Sequence, residues 1–136
     1  MPIKYERMNP ESLATIKRGG HVTMAQVVTV EGAHKYIYLS GQVSRDADGK
    51  CIGAGDMRAQ MIQVGECITA GLKAAGATMA DVVKTTTFVT DMAEYLKHGD
   101  LRFRYFGNPI SASTTIEIKG LVHPDLMIET EVVAMI

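Results

Sequence analysis

The sequence predicts an α+β domain: a single mixed β-sheet with two helices packed on one face, and a second face left for sister chains to cover. Three observations lead there. The segments run strand, strand, helix, strand, helix, strand, strand, and two helices are too few to cover both faces of such a sheet. The last segment, Met127 to Ile136, alternates with period two, yet neither of its faces is polar throughout. The chain has 136 residues, 46% hydrophobic and 21% charged, which suits one domain with its own core.

Each element has its own signal. Residues 1–21 read as an N-terminal extension and loop ahead of a single domain, since Asn9 to His21 is largely polar and ends near Gly19-Gly20. Val22 to Val30 is β-branched and reads as a strand. Glu31-Gly32-Ala33-His34 is a turn, and Tyr36 to Leu39 is a second strand, which together predict a hairpin. Asp56 is placed to cap a helix whose apolar positions Met57, Met61, Val64, Ile68, Leu72 and Ala75 fall every three or four residues. Gly76 is its natural stop, and Thr78 and Asp81 have capping-box spacing for one further turn.

Val82 to Thr90 is a dense β-branched strand. Asp91 and Glu94 then mark a second helix, with Met92, Tyr95, Leu96, Phe103 and Phe106 as its apolar stripe, ended by Gly107-Asn108-Pro109. Ser113 to Ile118 and Met127 to Ile136 are two late strands. On the last one Ile128, Thr130, Val132 and Ala134 form one face, and Glu129, Glu131, Val133 and Met135 the other. An oligomer packed through its sheets follows from that pattern.

Several functions are disfavoured. The formal net charge of −1 gives nucleic acid and anionic membranes no bulk attraction, so neither is expected as a partner. No run is apolar and long enough to span a bilayer, and the start Met-Pro-Ile-Lys-Tyr-Glu-Arg has no apolar signal region, so the cytoplasm is the expected compartment. Cys51 and Cys67 form no CxxC pair and read as two reduced thiols. His21, His34, His98 and His123 have no metal-binding spacing, and no metal or other cofactor is expected. There is no GxSxG elbow, and Gly53-Ala54-Gly55 reads as a flexible turn. Pro2 gives only a weak tautomerase reading.

A polar cluster at strand ends remains. Ser40-Gly41-Gln42 closes the second strand, and Ser111-Ala112-Ser113-Thr114-Thr115 opens a later one with four hydroxyls. Strand-end hydrogen bonding is the plain explanation for them. Glu129 and Glu131 share a face, where a carboxylate is costly unless it is paired or exposed in a cleft. An ion pair across an interface and a catalytic role in a cleft both satisfy that requirement.

At these residues the sequence resembles the Rid/YjgF family of reactive-intermediate (imine and enamine) deaminases. The matching pieces are Tyr38 to Val43, Ala74 to Ala77 running into Asp81 to Thr85, Phe88 to Met92, Ser113 to Ile118 and Ile128 to Ala134. The resemblance implies a chorismate-mutase-like fold and a homotrimer with a barrel-like sheet core and small-molecule clefts between subunits. It further implies that Ser40 and Gly41 line the cleft and that Glu129 positions a water against the imine carbon. Ser113, Thr114 and Thr115 complete the expected substrate-binding set, with no cofactor.

The sequence also departs from that family's best-known branch. Ser113 stands where a substrate-clamping Arg is found there, Met24 where a ring-bearing Tyr is found, and Gly99 where an Asn is found. Arg45, after the Ser-Gly-Gln turn, and His123-Pro124 resemble the aminomuconate-deaminase branch, which makes Arg45 a candidate replacement clamp. The expected function is hydrolysis of a small imine or enamine with release of ammonia, of the 2-aminomuconate-like type. The alternative is a non-catalytic trimer that binds a small metabolite; RNA cleavage, also associated with the family, is disfavoured by the charge and the low aromatic content.

Overall fold

The computed structural model describes residues 1–136. Along the chain the elements are β1 (Lys4–Met8), β2 (Lys17–Arg18), β3 (His21–Val22), β4 (Val27–Glu31), β5 (Tyr36–Val43), α1 (Met57–Ala74), a 3-10 turn (Met79–Asp81), β6 (Val82–Val89), α2 (Met92–Leu96), α3 (Gly99–Phe106), β7 (Ala112–Glu117) and β8 (Ile128–Met135). No helix is long and apolar enough to cross a membrane.

α1 forms as its periodicity requires. The Asp56 carboxylate accepts the Ala59 N–H at 3.0 Å, which satisfies one of the donors a helix start leaves orphaned. Met57, Met61, Val64, Ile68 and Leu72 are buried and Ala75 packs at the core's edge, so the predicted stripe is the packed one. The helix ends at Gly76, whose φ of +84° favours glycine. Thr78 and Asp81 form the expected capping box over the 3-10 turn.

Four strands make the main sheet in the order β5-β8-β6-β7, with β6 and β7 parallel and the other pairs antiparallel. α1 lies across β5 and β8, with α2 and α3 packed beside it. Ile37, Val82, Val89, Ile128, Val132 and Ala134 join the α1 stripe, Tyr95 and Leu101 in one core. All the helices therefore lie on one face. The other face is open in the chain, and Tyr36 and Tyr38 are 59% and 74% exposed there.

The structure differs from the sequence expectations in four places. First, the predicted hairpin does not form: β4 pairs with β1 and β5 pairs with β8. A turn signal fixes a reversal of the chain but not the partner, and the apolar β8 offers β5 more burial. Second, the N-terminal stretch is not all loop. β1 pairs with β4, and β2 with β3, as two small ribbons beside the main sheet, so the strands do not form one sheet. The Tyr5 hydroxyl donates to the Met135 carbonyl and Arg7 Nη2 to the Ala80 carbonyl at 2.9 Å, which ties β1 down. Third, the second helix is two, because Lys97 and His98 close α2 before α3 begins at Gly99. Fourth, that break rotates the stripe, so Leu101 is buried while Leu96 and Phe103 stay exposed.

Candidate functional site

Strand alternation decides which of the predicted site residues meet. On β8, Ile128, Thr130, Val132 and Ala134 face the helices, so Glu129 and Glu131 face the open side. Register carries this across the sheet. Phe88 pairs with Glu129, Thr86 with Glu131 and Thr114 with Thr86, which puts Thr114 on the open face too. Ser113 and Thr115 pair with Thr85 and Thr87 and belong to the helix face. The Thr85 hydroxyl donates to Ser113 Oγ at 3.0 Å, and Thr87 shares a hydrogen bond of 3.1 Å with Thr130. Ser113 is also level with Val132, three positions along β8 from Glu129. One chain therefore holds the predicted set as two separate groups, Ser40, Gly41, Thr114 and Glu129 on one face, Ser113 and Thr115 on the other.

Glu129 and Gly41 are brought together. The register of β5 shifts so that Leu39 faces Val132 and Gln42 faces Thr130, leaving Ser40 and Gly41 both opposite Glu131. Such a β-bulge bends a strand and re-aims its side chains. A Cβ on Gly41 would lie 2.8 Å from Cδ of Glu129, so only glycine lets the carboxyl group lie across β5 here. Glu129 is half-buried, and none of the chain's ion pairs includes it. Ser40, exposed, adds a hydroxyl on the same bulge. The Glu129 carboxyl group thus lies against the β5 backbone without a counter-ion, with the Ser40 hydroxyl on the same bulge.

Arg45 lies two residues beyond Val43, which pairs with Glu129. Its carbonyl accepts from Gln63 Nε2 at 2.8 Å and from the Cys67 thiol at 3.6 Å, which fixes its backbone while its guanidinium joins no ion pair. Burial pushes the Cys67 thiol up, against the Gln63 hydrogen bond that lowers it, so the thiolate is disfavoured there. His123 accepts the Asp125 N–H at 3.2 Å and shapes its own loop. No three His, Cys, Asp or Glu side chains converge.

Lys84 belongs to this face and was not foreseen. Its Nζ donates to Thr114 Oγ1 at 3.0 Å, and with Tyr38, Thr86 and Glu131 it lines a cavity of about 210 Å³. Alternation with Val83 and Thr85 sets Lys84 on the opposite side of its strand from those two, and its pairing with Val133 then puts it on the face of Glu129.

Residues 22–136 match the family model described as endoribonuclease L-PSP. A RutC family protein of Pyrococcus horikoshii is 34% identical over 102 residues, covering 75% of this chain and 80% of that one. Among solved structures, a Rid family protein of unknown function from Yersinia pestis, YyfB, superposes with a TM-score of 0.81 at 28% identity, over 97% of this chain and 98% of that one. RidA from an Antarctic Psychrobacter superposes with a TM-score of 0.68 at 26% identity, over 90% and 99% of the two chains.

Proposed function

We propose, for a chain that belongs to the Rid/YjgF family matched by the endoribonuclease L-PSP model, that it hydrolyses a small imine or enamine and releases ammonia. The observation that carries this reading is the Glu129 carboxyl group lying across Gly41 on the uncovered face of the sheet. In the proposed reaction an enamine first takes a proton on carbon to become an iminium. Glu129 orients a water and accepts its proton as the oxygen bonds to the iminium carbon. The carbinolamine nitrogen takes that proton back from Glu129, the C–N bond breaks as the hydroxyl oxygen releases its own proton to solvent, replacing the one taken up at carbon, and a carbonyl and ammonia leave. Water and a proton-accepting carboxylate balance these steps, with no cofactor.

The cleft would be assembled from more than one copy of the chain. Ser40, Gly41, Thr114 and Glu129 share the uncovered face, whereas Ser113 and Thr115 lie on the other. A homotrimer that hides Tyr36 and Tyr38 would cover Glu129 with a neighbouring subunit, and Ser113 and Thr115 would reach such a cleft only past the free edge of β7. Arg45 remains the candidate for a grip on a substrate carboxylate, since Ser113 cannot provide the bidentate hydrogen bonds of an arginine. A 2-aminomuconate-like dicarboxylate enamine has a second carboxylate for a cation to hold, and Arg45 stands just past the end of β5, two residues from the partner of Glu129. The second reading, a metabolite-binding trimer without turnover, draws support from Ser113, whose hydroxyl is engaged by Thr85 within its own chain.

Ammonia release from imino acids generated in situ, and from 2-aminomuconate, separates the two readings. Glu129→Gln is expected to lower turnover by about 10²-fold or more with the fold intact. Ligand-induced stabilisation without ammonia from any of these substrates would favour the binding protein.

A further inference from the structure

Besides Glu129, two charges on the open face have no ionic partner in the chain: Lys84 and Glu131. In register Lys84 of β6 stands opposite Val133 of β8, and Thr86 opposite Glu131, so the two charges are diagonal neighbours on one surface. Lys84 nevertheless turns toward β7, where its Nζ donates to Thr114 Oγ1 at 3.0 Å. Glu131 is exposed and lies opposite the bulged Ser40-Gly41 step of β5. The sheet, ordered β5-β8-β6-β7, thus carries its cation toward one edge and this carboxylate toward the other. Both side chains line a recess of about 210 Å³ with Tyr38, Thr86 and Val133.

Covering this face takes both charges out of water, and a charge left unpaired beneath an interface is costly. A closed ring of copies is joined head to tail, so one side of each sheet meets the opposite side of the next. That arrangement sets ammonium against carboxylate. A copy turned the other way would set ammonium against ammonium, which penalises the wrong orientation. Glu129 is the less available acid, since its carboxyl group lies across Gly41.

We propose that Lys84 of one copy pairs with Glu131 of the next, so that three equivalent ion pairs fix the head-to-tail orientation of the trimer. The pair rests on the assembled-cleft reading given above and specifies how the copies recognise one another.

Sedimentation equilibrium of the full chain with Lys84→Glu, with Glu131→Lys and with both exchanges tests it. Each single exchange opposes like charges and is expected to raise the dissociation constant at least about tenfold, with the far-UV circular dichroism unchanged. The double exchange reverses every pair and is expected to recover most of that loss. An equimolar mixture of the two single variants is expected to assemble more tightly than either alone, because only a pair between copies is restored by mixing. Lys84→Met, which introduces no repulsion, is expected to lose most of the parent's weakening between about 0.05 and 0.5 M NaCl. Single variants that assemble like the parent, a mixture no tighter than its components, or an undiminished salt dependence in Lys84→Met would overturn the pair and leave the trimer standing. A parent that is monomeric at every concentration would overturn the assembled cleft, and the pair with it.

Discussion

Ile128, Thr130, Val132 and Ala134 lie beneath the helices, at most 3% exposed, while Glu129, Glu131, Val133 and Met135 of the same strand lie on the side no helix covers. The two faces also treat polar groups differently. Under the helices, Thr87 and Thr130 satisfy each other, and Thr85 pairs with Ser113. On the open side Lys84 reaches Thr114, and Glu129 has no ionic partner in the chain. One face supplies the cohesion of the chain; on the other, Glu129 is left half-buried and without an ionic partner. A period-two strand separates these tasks with no extra secondary structure.

Adjacent substitutions on β8 give the largest contrast. Val132→Asp places an unpaired charge in the core and is expected to cost at least about 3–5 kcal/mol, enough to abolish a cooperative urea transition. Val133→Asp, one residue on, is expected to keep that transition in the isolated chain and to block assembly. Loss of the native fold in Val133→Asp would erase the distinction between the faces.

Gly41→Ala sharpens it on the open side. The new Cβ meets the flexible end of the Glu129 side chain, so the carboxyl group must move while the strand stays. Ammonia release is expected to fall by about 10²-fold, as a misplacement of some 1 Å does, with little change in the urea midpoint. Undiminished turnover would dissociate the carboxyl position from the reaction. Buried and open threonines give the smallest contrast. Thr87→Val orphans the Thr130 hydroxyl and is expected to cost about 1–2 kcal/mol, with the double change to Val at both positions recovering most of it. Thr114→Val on the open face is expected to stay within about 0.5 kcal/mol of the parent in the same titration.

The sequence announces these faces unevenly. α1 is legible end to end because Asp56, the apolar stripe and Gly76 are local signals that agree. β8 is legible because its apolar residues alternate and its charges do not interrupt them. The pairing of β5 with β8, and of β4 with β1, is not legible, because partner choice depends on burial gained far along the chain. β1, Lys-Tyr-Glu-Arg-Met, is an edge ribbon too charged to show strand composition.

The candidate site was half legible. Gly41 within a strand marks a close approach, and Glu129 fills it. Ser113-Thr114-Thr115 reads as one hydroxyl cluster only until alternation splits it between faces.

The central claim is that the uncovered sheet face is an interface between copies of this chain, with Glu129 at its seam. Sedimentation equilibrium of the full chain over a range of concentrations tests it most directly. A mass near three times 14.8 kDa is expected, falling to 14.8 kDa for Val133→Asp. A parent protein that sediments at 14.8 kDa at every concentration, with Tyr36 and Tyr38 still bare, would contradict it.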